Sequence, residues 1–405
     1  MHPEDNLIDR SISLMSKTYG TLNPGKRVLM GPGPSDLHPR IYQAMAAPLV
    51  GHLDPYFIQI MDETKALLRY VFQTDNDLTF PISATGSAGM ETCICNLIEP
   101  GDEVLICVGG YFGDRMAQMA ERHGGKVVRL ENKWGQPFTP GLVQEALAGC
   151  RPKLVGLVHG ETSTGVLQPL EDIIRIVHEH NALILVDAVA SLGGTPVKVD
   201  EWDIDACYTG SQKCLSAPPG LAPITLNDRA VTAIEHRKSP VNSWYLDLTL
   251  VKKYWGEEHL YHHTAPVNLI YALREALVLI HEEGLENCFA RHALNYRALK
   301  AGIDAMGLKF FVEEAHRAPM INPVLAPEGI DEAGIRRRLL NEYGIELGGG
   351  LGALKGKAWR IGLMGQSSNK DHVMLCLSAL EQTLLAEGHT IKESGVTAAS
   401  EVYRD

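Results

Sequence analysis

From residue 78 the chain alternates short runs of aliphatic and β-branched residues with helical periods of about ten to thirteen residues. The runs are "LTFPIS", "DEVLICV", "KVVRL", "KLVGLVH", "ALILVDAV" and "DACYTGS", and amphipathic segments such as "AGMETCICNLI", "DRMAQMAERHG" and "PLEDIIRIVHEHN" separate them. Parallel strands need long crossovers, and helices laid on both faces of the sheet supply them. The pattern therefore predicts an α/β fold with a mostly parallel sheet between helices, over roughly residues 26–285.

The later chain changes rhythm. Two helices ("VNLIYALREALVLIHEEG", "NCFARHALNYRALKAGIDAMG") lead into short strands ("LKFFV", "MINPVLA", "IELGGG", "AWRIGLM") mixed with two more helices, "EAGIRRRLLNEYG" and "HVMLCLSALEQTLLAEG". That makes a smaller α+β domain at 286–386, followed by a polar tail at 387–405. Residues 1–25 are polar, end in "GTLNPGK", and read as an N-terminal arm.

With 37 Lys and Arg against 49 Asp and Glu, the net charge is −12, so nothing draws the chain to nucleic acid or an anionic membrane. The start of the chain lacks an apolar signal segment, no stretch approaches the length of a membrane span, and "YRD" is not a peroxisomal signal. The expected location is cytoplasmic. Eight cysteines sit mostly in apolar segments without a CxxC pair, which predicts buried reduced thiols.

Two glycine-rich stretches, "LMGPGPSD" (29–36) and "GGGLGALKGK" (348–357), fail both the Walker A and the GxGxxG spacing. They read either as tight turns or as backbone approaching a small ligand, with Gly33 the candidate contact. In "ISATGSAGME" a strand ends at Thr85-Gly86-Ser87 and a helix starts at once. Exposed N–H groups and the positive end of the helix dipole make that junction either a phosphate cradle or an ordinary N-cap. Asp187 closes the strand "ALILVD" at the carboxyl edge, where open α/β sheets bind ligands. Lys213 lies just past the next strand, in "GSQKCLSAPPG". Each alone has a plain structural explanation. Together, a phosphate cradle, a strand-end carboxylate and a lysine match what pyridoxal 5'-phosphate needs: phosphate anchorage, a counter-ion for a protonated pyridine nitrogen, and an amine that can bond its carbonyl carbon.

The motifs "GPGPS", "HGETSTG", "LVDAVASLGG", "GSQKCLSAPPG", "YHHTAPVNLIYALREAL" and "WRIGLMG" resemble those of the alanine-glyoxylate and serine-pyruvate aminotransferases, class V of the fold-type I pyridoxal-phosphate enzymes. The resemblance runs from about residue 27 to 386. It implies that Lys213 holds the cofactor, that Asp187 pairs with the pyridine nitrogen, that Ser163 bonds near the phenolic oxygen, and that Phe112 stacks on the ring. Thr85, Gly86, Ser87 and Gln212 would bind the phosphate, joined by Tyr261 and Thr264 of the neighbouring subunit, so a homodimer with shared sites is implied. Arg360 would grip the substrate carboxylate, a task suited to a planar guanidinium.

The reaction implied is transfer of an amino group from alanine or serine to glyoxylate, giving glycine, or to pyruvate. His52 and Trp244 stand where the ureidoglycine-glyoxylate branch carries Gln and Asn, which favours alanine or serine; ureidoglycine is the alternative donor. A cysteine desulfurase on the same scaffold is a further reading, opposed by Phe112 in place of a stacking histidine. A silent cofactor binder is opposed by Arg360. The pair His262-His263 lacks a third metal ligand in sequence, and no metal is expected.

Overall fold

The structure is a computed structural model that describes residues 20–404. Of the expected N-terminal arm, residues 1–19 lie outside the described residues. The central sheet has seven strands: β1 (Leu78–Ile82), β2 (Glu103–Val108), β3 (Lys126–Glu131), β4 (Leu154–Val158), β5 (Leu183–Asp187), β6 (Ala206–Tyr208) and β7 (Ala222–Leu226). Their spatial order is β1-β7-β6-β5-β4-β2-β3. All neighbours pair parallel except β7, which runs antiparallel to both β6 and β1. The run "APITL" of β7 was not among the expected strands; a short connection from the lysine loop lets it return beside β6 without a crossover helix.

Helices α1 (Pro55–Phe72), α2 (Gly86–Leu97), α3 (Tyr111–Arg122), α4 (Glu171–Glu179) and α5 (Val267–Glu283) belong to this layer. Strands β1, β4 and β7 are buried at every position, as expected for a sheet covered on both faces. The core between them holds Phe57, Phe80, Ile106, Leu157, Ile184 and Trp255.

A second core lies under the later chain. Helix α6 (Leu285–Ala305) is followed by strands β8 (Lys309–Phe310), β9 (Ile321–Leu325), β10 (Gly348–Gly349) and β11 (Ala358–Gly362), ordered β8-β9-β11-β10. Helices α7 (Glu332–Tyr343), α8 (Lys370–Ala386) and α9 (Gly395–Val402) complete it. Trp359 is fully buried here and its indole N–H reaches Glu332 O at 3.1 Å. Helix α6 serves both cores, burying Leu285 and Phe289 in the first and Leu299 and Ile303 in the second.

Val28 and Leu29 pair in parallel with Ile345 and Glu346, and Met30 is buried in the second core, so the apolar run "VLM" packs with the later chain. The expected tail at 387–405 contains α9: Ser394 caps it, Ala399 is fully buried, and Tyr403 OH donates to Asn295 Oδ1 at 2.7 Å. Sparse but well-placed small apolar residues let this polar stretch pack on α6. The eight cysteines are buried and free.

Candidate active site

The carboxyl ends of β1, β2, β4, β5 and β6 open onto one cavity of about 220 Å3. Every strand in that set runs the same way, so the segments leaving them converge at one edge of the sheet. Asp187, the last residue of β5, and Lys213, in the loop after β6, both line the cavity.

Lys213 lies under the "GPGPS" loop. Its Nζ donates to Pro32 O, and burial together with the Arg360 charge pushes its pKa down to about 8. Gly33 is in the left-handed region at φ 96°, and a Cβ there would fall 2.5 Å from Lys213 Cδ. This loop is therefore a close backbone cover, and Gly33 touches the lysine itself.

Asp187 is only 2 % exposed. Tyr208 OH donates to its Oδ2 at 2.6 Å and the Val189 N–H to its Oδ1 at 2.8 Å. Burial outweighs those bonds and pushes the carboxyl up to about 6. An opposing cation would reverse that shift.

Across the cavity, Thr85 enters α2 without making a side-chain cap, so the helix N-terminus faces the cavity through Gly86 and Ser87. Arg115, one turn beyond Phe112 on α3, donates to Ser87 Oγ at 2.9 Å and sits 4.9 Å from the Phe112 ring centre. Gln212 also lines the cavity, and its buried side-chain oxygen has no hydrogen-bond partner.

Arg360, in the middle of β11, is 8 % exposed rather than at a solvated strand end. Its Nε donates to Gly349 O at 2.7 Å and its Nη1 to Thr162 O at 3.2 Å. Burial lowers its pKa to about 10, which leaves it charged at neutral pH.

Ser163 does not reach the cavity wall; its neighbour Thr162 does. The Ser163 hydroxyl is turned inward, donating to Glu161 Oε1 at 2.6 Å and accepting the Tyr111 N–H at 3.0 Å. Gly33 and Arg360 are not part of this wall, and His52, Trp244, Tyr261 and Thr264 lie outside it too. Trp244, Tyr261 and Thr264 are exposed and His52 is half-buried; the rings of His52 and Tyr261 are 5.1 Å apart, and Trp244 stacks on His262 at 4.5 Å. The histidine pair lies in irregular chain, not on a strand, with the two Nδ1 atoms 2.8 Å apart and His263 Nε2 2.7 Å from Ser83 Oγ.

Sequence reasoning missed Arg115, Thr162, Tyr208 and Glu161. Arg115 carried a signal in its three-residue spacing from Phe112, which puts both on one helix face. The others stand out only once the strand ends are brought together.

The residues fit pyridoxal phosphate. A helix N-terminus with uncapped N–H groups suits a phosphate, a carboxylate raised by burial suits a protonated ring nitrogen, and a lysine lowered toward its neutral form suits a carbonyl carbon.

Comparison with known proteins agrees. The family model for aminotransferase class-V matches residues 40–364. The (S)-ureidoglycine-glyoxylate transaminase of Bacillus subtilis is 43% identical over 398 residues, which cover 94% of this chain and 96% of that one. Alanine-glyoxylate aminotransferase of Mus musculus is 43% identical over 362 residues, 88% of this chain and 87% of that one. A crystal structure of alanine-glyoxylate aminotransferase from Nostoc sp. superposes with a TM-score of 0.90 at 49% identity, covering 91% of this chain and 98% of that one.

Proposed function

The chain belongs to the class-V aminotransferases, which work with pyridoxal phosphate, and from that premise we propose that it transfers an amino group from alanine or serine to glyoxylate. The observation that carries this reading is Arg360, a buried guanidinium held by Gly349 O and Thr162 O close enough to Lys213 to depress its pKa. A carboxylate bound there brings the α-carbon of an amino acid, or the oxo carbon of glyoxylate, to the lysine. Glyoxylate is the acceptor named for both kinds of curated relative.

Pyridoxal phosphate, when bound, supplies a carbonyl that takes up the amino group and a ring that accepts the electron pair left by the departing α-proton. Lys213 would hold the cofactor through its amine and would take the proton from the substrate α-carbon. Asp187, fixed by Tyr208 and the Val189 N–H, would keep the pyridine nitrogen protonated. Gly86, Ser87 and Gln212 would hold the phosphate, with Thr85 at the helix entrance and Arg115 bracing Ser87. Phe112 would cover the ring, and Thr162, which lines the cavity where Ser163 does not, would serve the phenolic oxygen.

The group of Tyr261, Thr264, His52 and Trp244 serves a neighbouring copy of this chain, with Tyr261 and Thr264 reaching its phosphate and His52 and Trp244 its substrate. The working form is then a homodimer, placed in the cytoplasm; no described helix is long and apolar enough to cross a membrane. Ureidoglycine is the competing donor, favoured by the Bacillus subtilis relative.

The deciding measurement is a set of half-reactions. Purified holoenzyme is mixed with alanine, serine or ureidoglycine, and loss of the cofactor's absorbance band is followed. Rapid bleaching by alanine or serine is expected; bleaching by ureidoglycine alone would overturn the donor assignment.

A further inference from the structure

Glu161 belongs to "HGETSTG" but had no part in the site as first read, and no role in the reaction described above. It is 5 % exposed, and every polar partner it has is a donor. Oε1 accepts the Ser163 hydroxyl at 2.6 Å and the Ser163 N–H at 3.0 Å. Oε2 accepts the N–H groups of Phe112 at 3.1 Å and Gly113 at 3.4 Å. Those are first-turn donors of α3, whose N-cap position is Gly110 and which makes no side-chain cap of its own. A carboxylate from a distant segment thus caps the helix that carries both Phe112 and Arg115 into the cavity wall.

Arg360 Nη1 donates at 3.2 Å to the carbonyl of Thr162, the residue next to Glu161, which brings the carboxylate near the guanidinium without an ion pair between them. Burial outweighs the hydrogen bonds from Ser163 and Phe112 and pushes the Glu161 carboxyl up. The backbone N–H groups of Ser163, Phe112 and Gly113 can only donate, so both carboxyl oxygens serve as acceptors. Gly110 is small for this reason: a Cβ there would fall 2.5 Å from Glu161 Cγ and 2.6 Å from Ser163 Oγ.

We propose that Glu161 is a positioning residue for transamination, holding Phe112 in place over the cofactor through the backbone of α3 and tempering the Arg360 clamp through its charge. The second half rests on the reading of Arg360 as the carboxylate clamp. The two halves separate because one depends on reach and the other on charge.

Three variants and one control test it, each read by melting temperature, the induced circular dichroism of bound pyridoxal phosphate, the cofactor dissociation constant, and kcat and KM for glyoxylate. E161D keeps the charge but withdraws it by one methylene; it should lose half or more of the induced dichroism and bind cofactor several-fold more weakly, with KM within twofold. E161Q removes the charge and turns one acceptor into a donor facing backbone N–H groups; it should lose part of the dichroism, and unlike E161D its KM should fall two- to fivefold, because the guanidinium is no longer partly neutralised. G110A pushes the carboxylate aside with all charges present, at a backbone conformation that alanine tolerates, and should resemble E161D; it also serves if either Glu161 variant fails to fold. The proposal is overturned if the folded variants show wild-type dichroism and KM, or only a fall in melting temperature with activity lost in proportion. Arg360→Ala is the control. If it leaves the KM for glyoxylate unchanged, the clamp reading fails and the charge half with it, while the loss of dichroism in E161D and G110A still tests the Phe112 half.

Discussion

The floor of the cavity and the exposed aromatic group around Tyr261 are built by opposite means. The floor consists of strand ends: Asp187, Lys213, Thr162 and the start of α2 are brought to one edge by the parallel run of the sheet, and all line one cavity of the chain. The rim residues sit in irregular chain, with Tyr261 61% and Trp244 64% exposed, and none faces the chain's own cavity. A site can be complete in its chemistry and incomplete in its walls. On the proposed reading one chain supplies the amine and the ring-nitrogen carboxylate, whereas a neighbouring copy would complete the phosphate grip and the substrate space with residues such as Tyr261 and Trp244, whose apolar surfaces are exposed in a single chain.

If that division is right, damage to the floor should be catastrophic and damage to the rim graded. Lys213→Ala removes both the amine that holds the cofactor and the base that moves the α-proton, so turnover should fall by about 10^3-fold or more. Steady-state rates with glyoxylate measure it, and retention of full activity would refute the assignment. Arg360→Ala comes next. Losing a charge-assisted bidentate grip worth about 3 kcal/mol should raise the KM for glyoxylate by about 100-fold. An unchanged KM would move the carboxylate site elsewhere.

Rim substitutions should act more gently. The double change of His52→Gln with Trp244→Asn should shift donor selectivity toward ureidoglycine by about tenfold, with the KM for glyoxylate nearly unchanged. A collapse of turnover with every donor would show that these side chains belong to the floor after all.

The pH response of the floor is smaller still. The Lys213 pKa is lowered to about 8, so its neutral fraction rises from about a tenth at pH 7 to about half at pH 8. Uptake of pyridoxal phosphate by protein stripped of it should therefore speed up about fivefold over that interval, as followed by absorbance. The sign for stability is consistent: a lysine whose folded pKa is depressed binds fewer protons folded than unfolded between about 8 and the ordinary lysine value of 10.5, so stripped protein gains stability from this group as pH rises through that range. Uptake that slows with rising pH would contradict a desolvated lysine.

The contrast also explains what could be read from sequence. Strand-and-helix alternation places Asp187 and Lys213 because a parallel sheet leaves little freedom in where its strand ends go. That Thr162 lines the cavity and Ser163 does not could not be read from sequence, because neighbouring hydroxyl residues in a turn differ only in which way the chain points them. The Ser163 hydroxyl is turned inward by Glu161 and by the Tyr111 N–H, a bond between segments about fifty residues apart. β7 and α9 escaped notice for a related reason: short segments of small apolar residues acquire their pattern from the surfaces they pack on, namely β6 and α6.

The sharpest way to break the comparison is to separate floor and rim onto different chains. Lys213→Ala has a dead floor and an intact rim; Tyr261→Ala has the reverse. Mixed after reversible dissociation, half of the dimers are hybrids by random pairing, and in each hybrid one site combines an intact Lys213 with an intact Tyr261 from the other chain. The intact sites of the hybrids should contribute about a quarter of wild-type activity, lifting the mixture above the average of its two parents. Were Tyr261 to serve its own chain's cavity, no hybrid would contain an intact site and mixing would restore nothing. The outcome depends only on whether the two residues must be joined within a chain or across an interface, which is the physical content of calling one region floor and the other rim.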